Sequence, residues 1–278
     1  GVVTEVTVKL LPRPPVARVV LGGFDDVERA GEAVSGIIGA GIIPGGLEMM
    51  DHLAIVAAED SVHAGYPVDA QALLLCELDG SEAEVEESTR RVAALLEAQG
   101  ATHVQVSQTD AERELFWKGR KNAFPAIGRI SPDYYCMDGT IPRHQLARVL
   151  REMRRMSEQF GLRVANVFHA GDGNLHPLIL FDESVPGELE RAEAFGAAIL
   201  ELCVEVGGCI TGEHGVGMEK IRQVPLQFDE AELTQMGLIK LAFDPGELLN
   251  PGKGIPILKR CQEYRALEPR TAAGSGSS

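Results

Sequence analysis

At 278 residues, with 45% apolar and 24% charged side chains, the chain can bury one large core or two modest ones. Its 41 acidic and 26 basic residues leave a formal net charge of −15, which excludes the basic footprint of a nucleic-acid-binding protein and a patch for anionic lipid. The five cysteines (Cys76, Cys136, Cys203, Cys209, Cys261) lack CxxC spacing, which excludes a legible iron–sulfur or zinc-ribbon motif and fits reduced thiols in a cytoplasmic setting.

No run reaches the roughly 18 apolar residues of a membrane-spanning helix, so direct membrane insertion is not expected. Gly1-Val2-Val3-Thr4 has neither the basic region nor the cleavage pattern of a signal peptide, and without an initiator Met it reads as the middle of a protein. Val2, Thr4, Val6, Val8 and Leu10 alternate with Val3, Glu5, Thr7 and Lys9, the period of a strand. Leu11-Pro12-Arg13-Pro14-Pro15 then breaks the pattern as a stiff linker. Residues 1–11 therefore read as the last strand of a domain whose bulk lies elsewhere.

A strand is expected over 16–21 and a helix over 25–40, followed by a turn at Pro44-Gly45-Gly46 and a short strand within 42–50. Glu48, Asp51, His52 and His63 read as surface or turn residues. Next come a buried strand at 73–78, a helix over 81–99 with acidic residues in its first turn, a strand at 102–107 and a helix over 110–127. A strand at 134–137, a helix over 142–159 and a strand at 163–169 follow. Residues 175–181 form a hairpin with the last of these, because Gly171-Asp172-Gly173 is strong turn chemistry. The rest reads as helix, over 187–206 and 230–243, and residues 266–278 as a disordered Gly/Ser-rich tail. The hairpin and short connections predict an α+β fold, a mainly antiparallel sheet flanked by helices, its strand–helix–strand rhythm suggesting ferredoxin-like units.

The candidate chemistry gathers in His169-Ala170-Gly171-Asp172-Gly173-Asn174-Leu175-His176-Pro177 and Gly212-Glu213-His214-Gly215. If the hairpin forms, His169 and His176 flank its turn with Cβ atoms about 5 Å apart. Two imidazoles so placed can share one divalent ion, with Glu213 as oxygen ligand, and His₂–carboxylate with open positions suits catalytic zinc, iron or manganese. Asp172 and Asn174 are placed to orient those ligands. A cross-strand histidine pair bonded to backbone explains the same residues without metal. His214, between glycines and beside Glu213, has the chemistry of a general base near neutral pH; a loop histidine is the bland alternative. In Trp117-Lys118-Gly119-Arg120-Lys121, Arg120 can clamp a substrate carboxylate, against a merely solvated basic helix face. Asn250-Pro251-Gly252-Lys253-Gly254 is by itself a turn.

Together with Tyr134-Tyr135-Cys136-Met137-Asp138-Gly139-Thr140-Ile141-Pro142 and Phe116-Trp117-Lys118-Gly119-Arg120-Lys121, these segments resemble the carboxy-terminal part of FAD-linked 2-hydroxyacid oxidases and dehydrogenases, most of all the flavoprotein subunits of bacterial glycolate oxidases. The resemblance runs from residue 1 to about 265. It implies that residues 12–265 are the cap, or substrate, domain, and that 1–11 is the final strand of a truncated FAD-binding domain. The glycine-rich pyrophosphate loop of that domain is absent, so most of the FAD site lies outside this chain. The resemblance further implies a divalent metal held by His169, His176 and Glu213, His214 as base near the flavin, Arg120 on the substrate carboxylate and Asn250 near the flavin. It implies a small 2-hydroxy acid, glycolate or D-lactate, as substrate. It also implies a second FAD-type subunit and an iron–sulfur subunit as partners, the latter a route to peripheral membrane association. Related D-2-hydroxyglutarate enzymes carry a lysine around Tyr135–Cys136 and an asparagine near Leu178; neither stands here, which argues against a longer diacid. A metal-dependent hydrolase using the same ligands, and an inert cap that docks subunits, remain as alternatives.

Overall fold

The computed structural model describes residues 2–256, in two compact units: residues 5–214, and residues 215–256 together with the first few residues. In the larger unit β1 (Val16–Phe24), α1 (Val27–Gly39), β2 (Gly46–Asp51), α2 (His52–Val62), β3 (Ala72–Gly80), α3 (Glu82–Ala98) and β4 (His103–Val106) come first. Then follow α4 (Asp110–Ile127), β5 (Asp133–Cys136), β6 (Gly139–Thr140), α5 (Leu146–Phe160), β7 (Val164–Phe168), β8 (Asn174–Leu175), β9 (Pro177–Phe181) and α6 (Glu188–Glu205). The smaller unit contains α7 (Val224–Gln227) and α8 (Glu230–Phe243).

Seven strands form one sheet in the order β4-β1-β3-β2-β7-β9-β5, each adjacent pair antiparallel. The first four strands, with α1 and α3 as crossovers, make a ferredoxin-like βαββαβ unit into which α2 is inserted between β2 and β3. The expected α+β sheet flanked by helices is what forms. Alternate residues of β1 divide between two faces. Val19 and Leu21 join Leu73, Leu75, Val167 and Leu178 under the apolar sides of α2 and α4, while Gly22 lies against Leu96 of α3.

Local chemistry explains the helix starts. Ser81 and Thr109 form capping boxes with Glu84 and Glu112, each satisfying two backbone donors at its helix N-terminus. Asp229 and Glu232 do the same for α8. Helix α2 was not expected from the sequence. Asp51, read as a turn residue, is its N-cap and accepts from Ala54 N, and His63 ends it at a left-handed φ of 55°.

Residues 2–14 have no regular secondary structure, and Val2, Val3, Val6, Val8 and Leu10 are exposed. A strand needs an edge to pair with. The tail expected at 266–278 and the last residues of the expected cap domain, 257–265, lie outside the described residues.

Candidate metal and proton-transfer site

Strand register delivers one half of the site. β7 and β9 pair with Ala165 opposite Leu178 and Asn166 opposite Pro177. The same register continues past β9, where His169 bridges Asn174. His169 and His176 are thus diagonal neighbours on one face, two positions apart along the ladder, rather than directly opposite as expected. Their rings still meet edge to face with centroids 5.0 Å apart. The intervening turn depends on Gly173: at φ +73°, a Cβ there would come within 2.2 Å of the Ile141 carbonyl oxygen.

β2 brings the next group. It pairs with β7 through Met49 opposite Phe168 and Met50 opposite Val167. One step further in that register sets Glu48 opposite His169, and His169 Nδ1 donates to Glu48 Oε1 at 2.8 Å. The other oxygen, Oε2, lies 2.7 Å from Arg120 Nη2 on α4. Glu48 and Arg120 are both buried, which corrects the reading of Glu48 as a surface residue. It also gives Arg120, expected to meet substrate, a protein partner; its Nε is buried with no hydrogen-bond partner among the described residues.

A loop delivers the other half. Asp138, just before β6 and fully buried, accepts from Thr211 Oγ1 (2.9 Å), Gly212 N (3.0 Å), Glu213 N (3.1 Å) and His214 N (2.8 Å). Gly212 is needed by close approach, since a Cβ there would fall 2.6 Å from Asn174 Oδ1. So held, Glu213 Oε1 lies 3.3 Å from His176 Nε2 and 3.5 Å from His169 Nε2. The His214 ring stacks on that of His176 with centroids 5.0 Å apart and planes 7° apart.

The three residues proposed from spacing therefore converge: one ligand atom from each of His169, His176 and Glu213 lies within 4.8 Å of the other two. Asp138, His176 and His214 form a second trio by the same measure, with His176 common to both. Both ring nitrogens of His176 are buried without a hydrogen-bond partner among the described residues. Burial first, then the neighbouring rings of His169 and His214, push its pKa down to about 4, so it presents a neutral lone pair. His169 is shifted upward, chiefly by its hydrogen bond to Glu48. Because a carboxylate only accepts, Nδ1 carries the proton, and in the neutral ring Nε2 is the lone pair, toward Glu213. An orphaned buried imidazole nitrogen beside a second imidazole and a carboxylate is the donor set of a divalent transition-metal ion.

Asn250 lies in the smaller unit at a left-handed φ of 46°, where its carbonyl accepts from Lys253 N. Asp172 donates its backbone N–H to the His169 carbonyl and helps close the turn. Sequence reasoning missed Glu48 and gave Asp138 no role. A lone acid within the apolar run Leu47-Glu48-Met49-Met50 was the available signal, since acids are rarely buried unless paired. No helix among the described residues is long and apolar enough to cross a membrane.

Comparison with known proteins matches this architecture. The glycolate oxidase subunit GlcD of Escherichia coli K12 is 66% identical over 267 residues, 96% of this chain and 54% of that protein. GlcD of Bacillus subtilis is 36% identical over 91% of this chain and 54% of its own length. The mitochondrial D-lactate dehydrogenase [cytochrome] of Arabidopsis thaliana is 30% identical over 92% of this chain and 45% of its own length. The chain thus spans about half the length of the curated relatives it matches. Among solved structures, p-cresol methylhydroxylase with substrate bound superposes over 88% of this chain and 54% of its own, at a TM-score of 0.67 and 16% identity, a likeness of fold. Residues 13–254, which include the whole cluster around His176, match the family described as FAD linked oxidases, C-terminal domain, and to that family the chain belongs.

Proposed function

We propose that this chain is the substrate- and metal-binding half of a flavoprotein that oxidises a small 2-hydroxy acid, glycolate or D-lactate, to the 2-oxo acid. The observation that carries the reading is the convergence of His169, His176 and Glu213 on the orphaned Nε2 of His176. The names of the glycolate oxidase and D-lactate dehydrogenase relatives supply the substrate class.

In this reading His169 Nε2, His176 Nε2 and Glu213 Oε1 hold a divalent ion, which when bound supplies a Lewis acid for the hydroxyl and carboxylate of the acid. FAD, held mostly by the half of the protein this chain does not contain, supplies the two-electron acceptor. Glu48 keeps the His169 proton on Nδ1 and so keeps Nε2 available. Arg120 adds positive field behind Glu48, and its Nε is a donor for the substrate carboxylate. His214, half-exposed at the rim of the cluster, takes the hydroxyl proton on its imidazole. Asn250 would contribute to holding the flavin. The word subunit in the bacterial names supports partner chains; a second FAD-type subunit and an iron–sulfur subunit are the ones proposed, in the cytoplasm, with any membrane association peripheral and through them.

Anaerobic titration of the complete flavoprotein with glycolate and D-lactate tests the reading. The flavin absorption band should bleach, with the two acids differing by no more than about 200-fold because one methyl group separates them. His176→Ala should lose its divalent metal and bleach at least about 100-fold more slowly. A wild-type band that neither acid bleaches, or a His176→Ala variant with full metal and full rate, overturns it.

A further inference from the structure

We infer that Asp138 is a positioning residue of this site: its buried carboxylate sets the conformation of the loop that brings Glu213 and His214 to His176. The inference rests on the metal-site reading above and extends it to a residue outside the ligand set.

Glu213 and His214 stand on an exposed segment, their side chains 56% and 46% accessible, with glycines at 212 and 215. Such a segment has many conformations to choose from. Three successive backbone N–H groups, of Gly212, Glu213 and His214, nevertheless converge on the Asp138 carboxylate, joined by the Thr211 hydroxyl. Gly212 N also reaches the Asp138 carbonyl at 2.9 Å. Successive amides aimed at one anion form a nest, and donors to an ionised acceptor are the strong kind. A neutral amide in place of the carboxylate keeps one accepting oxygen but loses the charge, and its NH₂ group would face the Glu213 N–H that Oδ1 now accepts from.

The same carboxylate lies 3.6 Å from His176 Nε2 and 4.0 Å from His214 Nδ1. Asp138 therefore belongs to one of the two possible metal trios, and its hydrogen bonds decide which role it takes. Both of its oxygens already accept from the loop: Oδ1 from Glu213 N at 3.2 Å, and Oδ2 from four donors. Glu213, by contrast, has an exposed carboxylate free to ligate. The assignment is therefore Glu213 as ligand and Asp138 as the group that places it.

The test uses the complete protein and its Asp138→Asn, Asp138→Glu and Thr211→Val variants, with Mn²⁺ as the probe. Asp138→Asn and Asp138→Glu should weaken Mn²⁺ binding about 10–100-fold, the range for groups that orient metal ligands. Thr211→Val, which leaves the three backbone donors in place, should change it less than about 3-fold. Amide hydrogen exchange at Gly212, Glu213 and His214 gives a readout that needs no metal. These amides should be protected in the wild type and in Thr211→Val, and should lose protection in Asp138→Asn while the strands keep theirs. Loss of Mn²⁺ binding in Asp138→Asn as complete as in His176→Ala would make Asp138 a ligand and overturn the inference. So would fast exchange of these three amides in the wild type. If the wild type binds no Mn²⁺ yet protects the three amides, the metal reading fails while the positioning role stands.

Discussion

The two halves of the site are built by different means. His169 and His176 sit at the ends of paired strands, His169 just past β7 and His176 between β8 and β9, with Glu48 set opposite His169 by the β2–β7 register and Arg120 locked behind it. Glu213 and His214 sit on an exposed loop whose described anchor is Asp138. The side chain of His176 is 4% exposed and that of Glu213 is 56% exposed. Strand-borne ligands are placed by the same interactions that hold the sheet together, so disturbing them should cost folding stability. Loop-borne ligands are placed by a few hydrogen bonds, so disturbing them should cost site geometry while the sheet survives.

The largest expected effect lies on the strand side. Arg120→Ala leaves Glu48 buried beside His169 without its cation, and breaking one partner of a buried pair costs about 3–5 kcal/mol. Glu213→Gln, on the exposed loop, should stay within about 0.5 kcal/mol of wild type. Urea denaturation of both variants measures the contrast. Equal losses would show that the two halves do not differ as described.

A pH series sharpens the strand side. Asp51 accepts from Asn166 N and Nδ2, both at 2.8 Å, yet burial pushes its pKa up to about 6. Its folded-state pKa lies above the unfolded value, so its contribution is fully present below about pH 4 and is lost as pH rises through 6. His176, pushed down to about 4, behaves oppositely: its contribution is present above about pH 6.5 and is lost as pH falls toward 4. The two slopes offset one another in the wild type. In metal-free buffer, Asp51→Asn should gain about 2 kcal/mol on the wild type between pH 4.5 and 6.5. His176→Gln should show the reverse, losing stability relative to the wild type across the same interval. Parallel curves for all three proteins would remove both groups from the pH dependence.

Much of this was legible in the sequence, and the division between what was and was not follows the same line. Helix α4 was legible to the residue because Thr109 and Glu112 form a capping box ahead of an amphipathic run. His169, His176 and Glu213 were legible because imidazoles and acids clustered among glycines have few structural uses. Glu48 was not, because its partners are 121 and 72 residues away and only register brings them together. Arg120 read as free for the same reason. Helix α2 was hidden because an Asp that caps a helix and an Asp that starts a turn look alike locally. Asp138 stood within a legible motif, but its role depends on a loop more than 70 residues downstream.

Two glycines give the finest test of the contrast. Gly173 has a left-handed φ, and a Cβ there would meet the Ile141 carbonyl oxygen, a backbone atom that cannot rotate away. Gly173→Ala should therefore cost about 1–3 kcal/mol of stability by straining the β7–β8 turn. Gly212 has no left-handed φ, and its Cβ would meet the Asn174 side chain, which can yield. Gly212→Ala should cost only about 1 kcal/mol. The displacement should nevertheless fall on the peptide that donates to Asp138, next to Glu213, so Mn²⁺ affinity in Gly212→Ala should drop about 10-fold. The comparison predicts that the variant with the smaller stability loss has the larger loss of affinity per kcal/mol. If Gly212→Ala keeps full affinity while Gly173→Ala loses it, the loop does not place its ligand independently of the strands, and the two halves of the site are one.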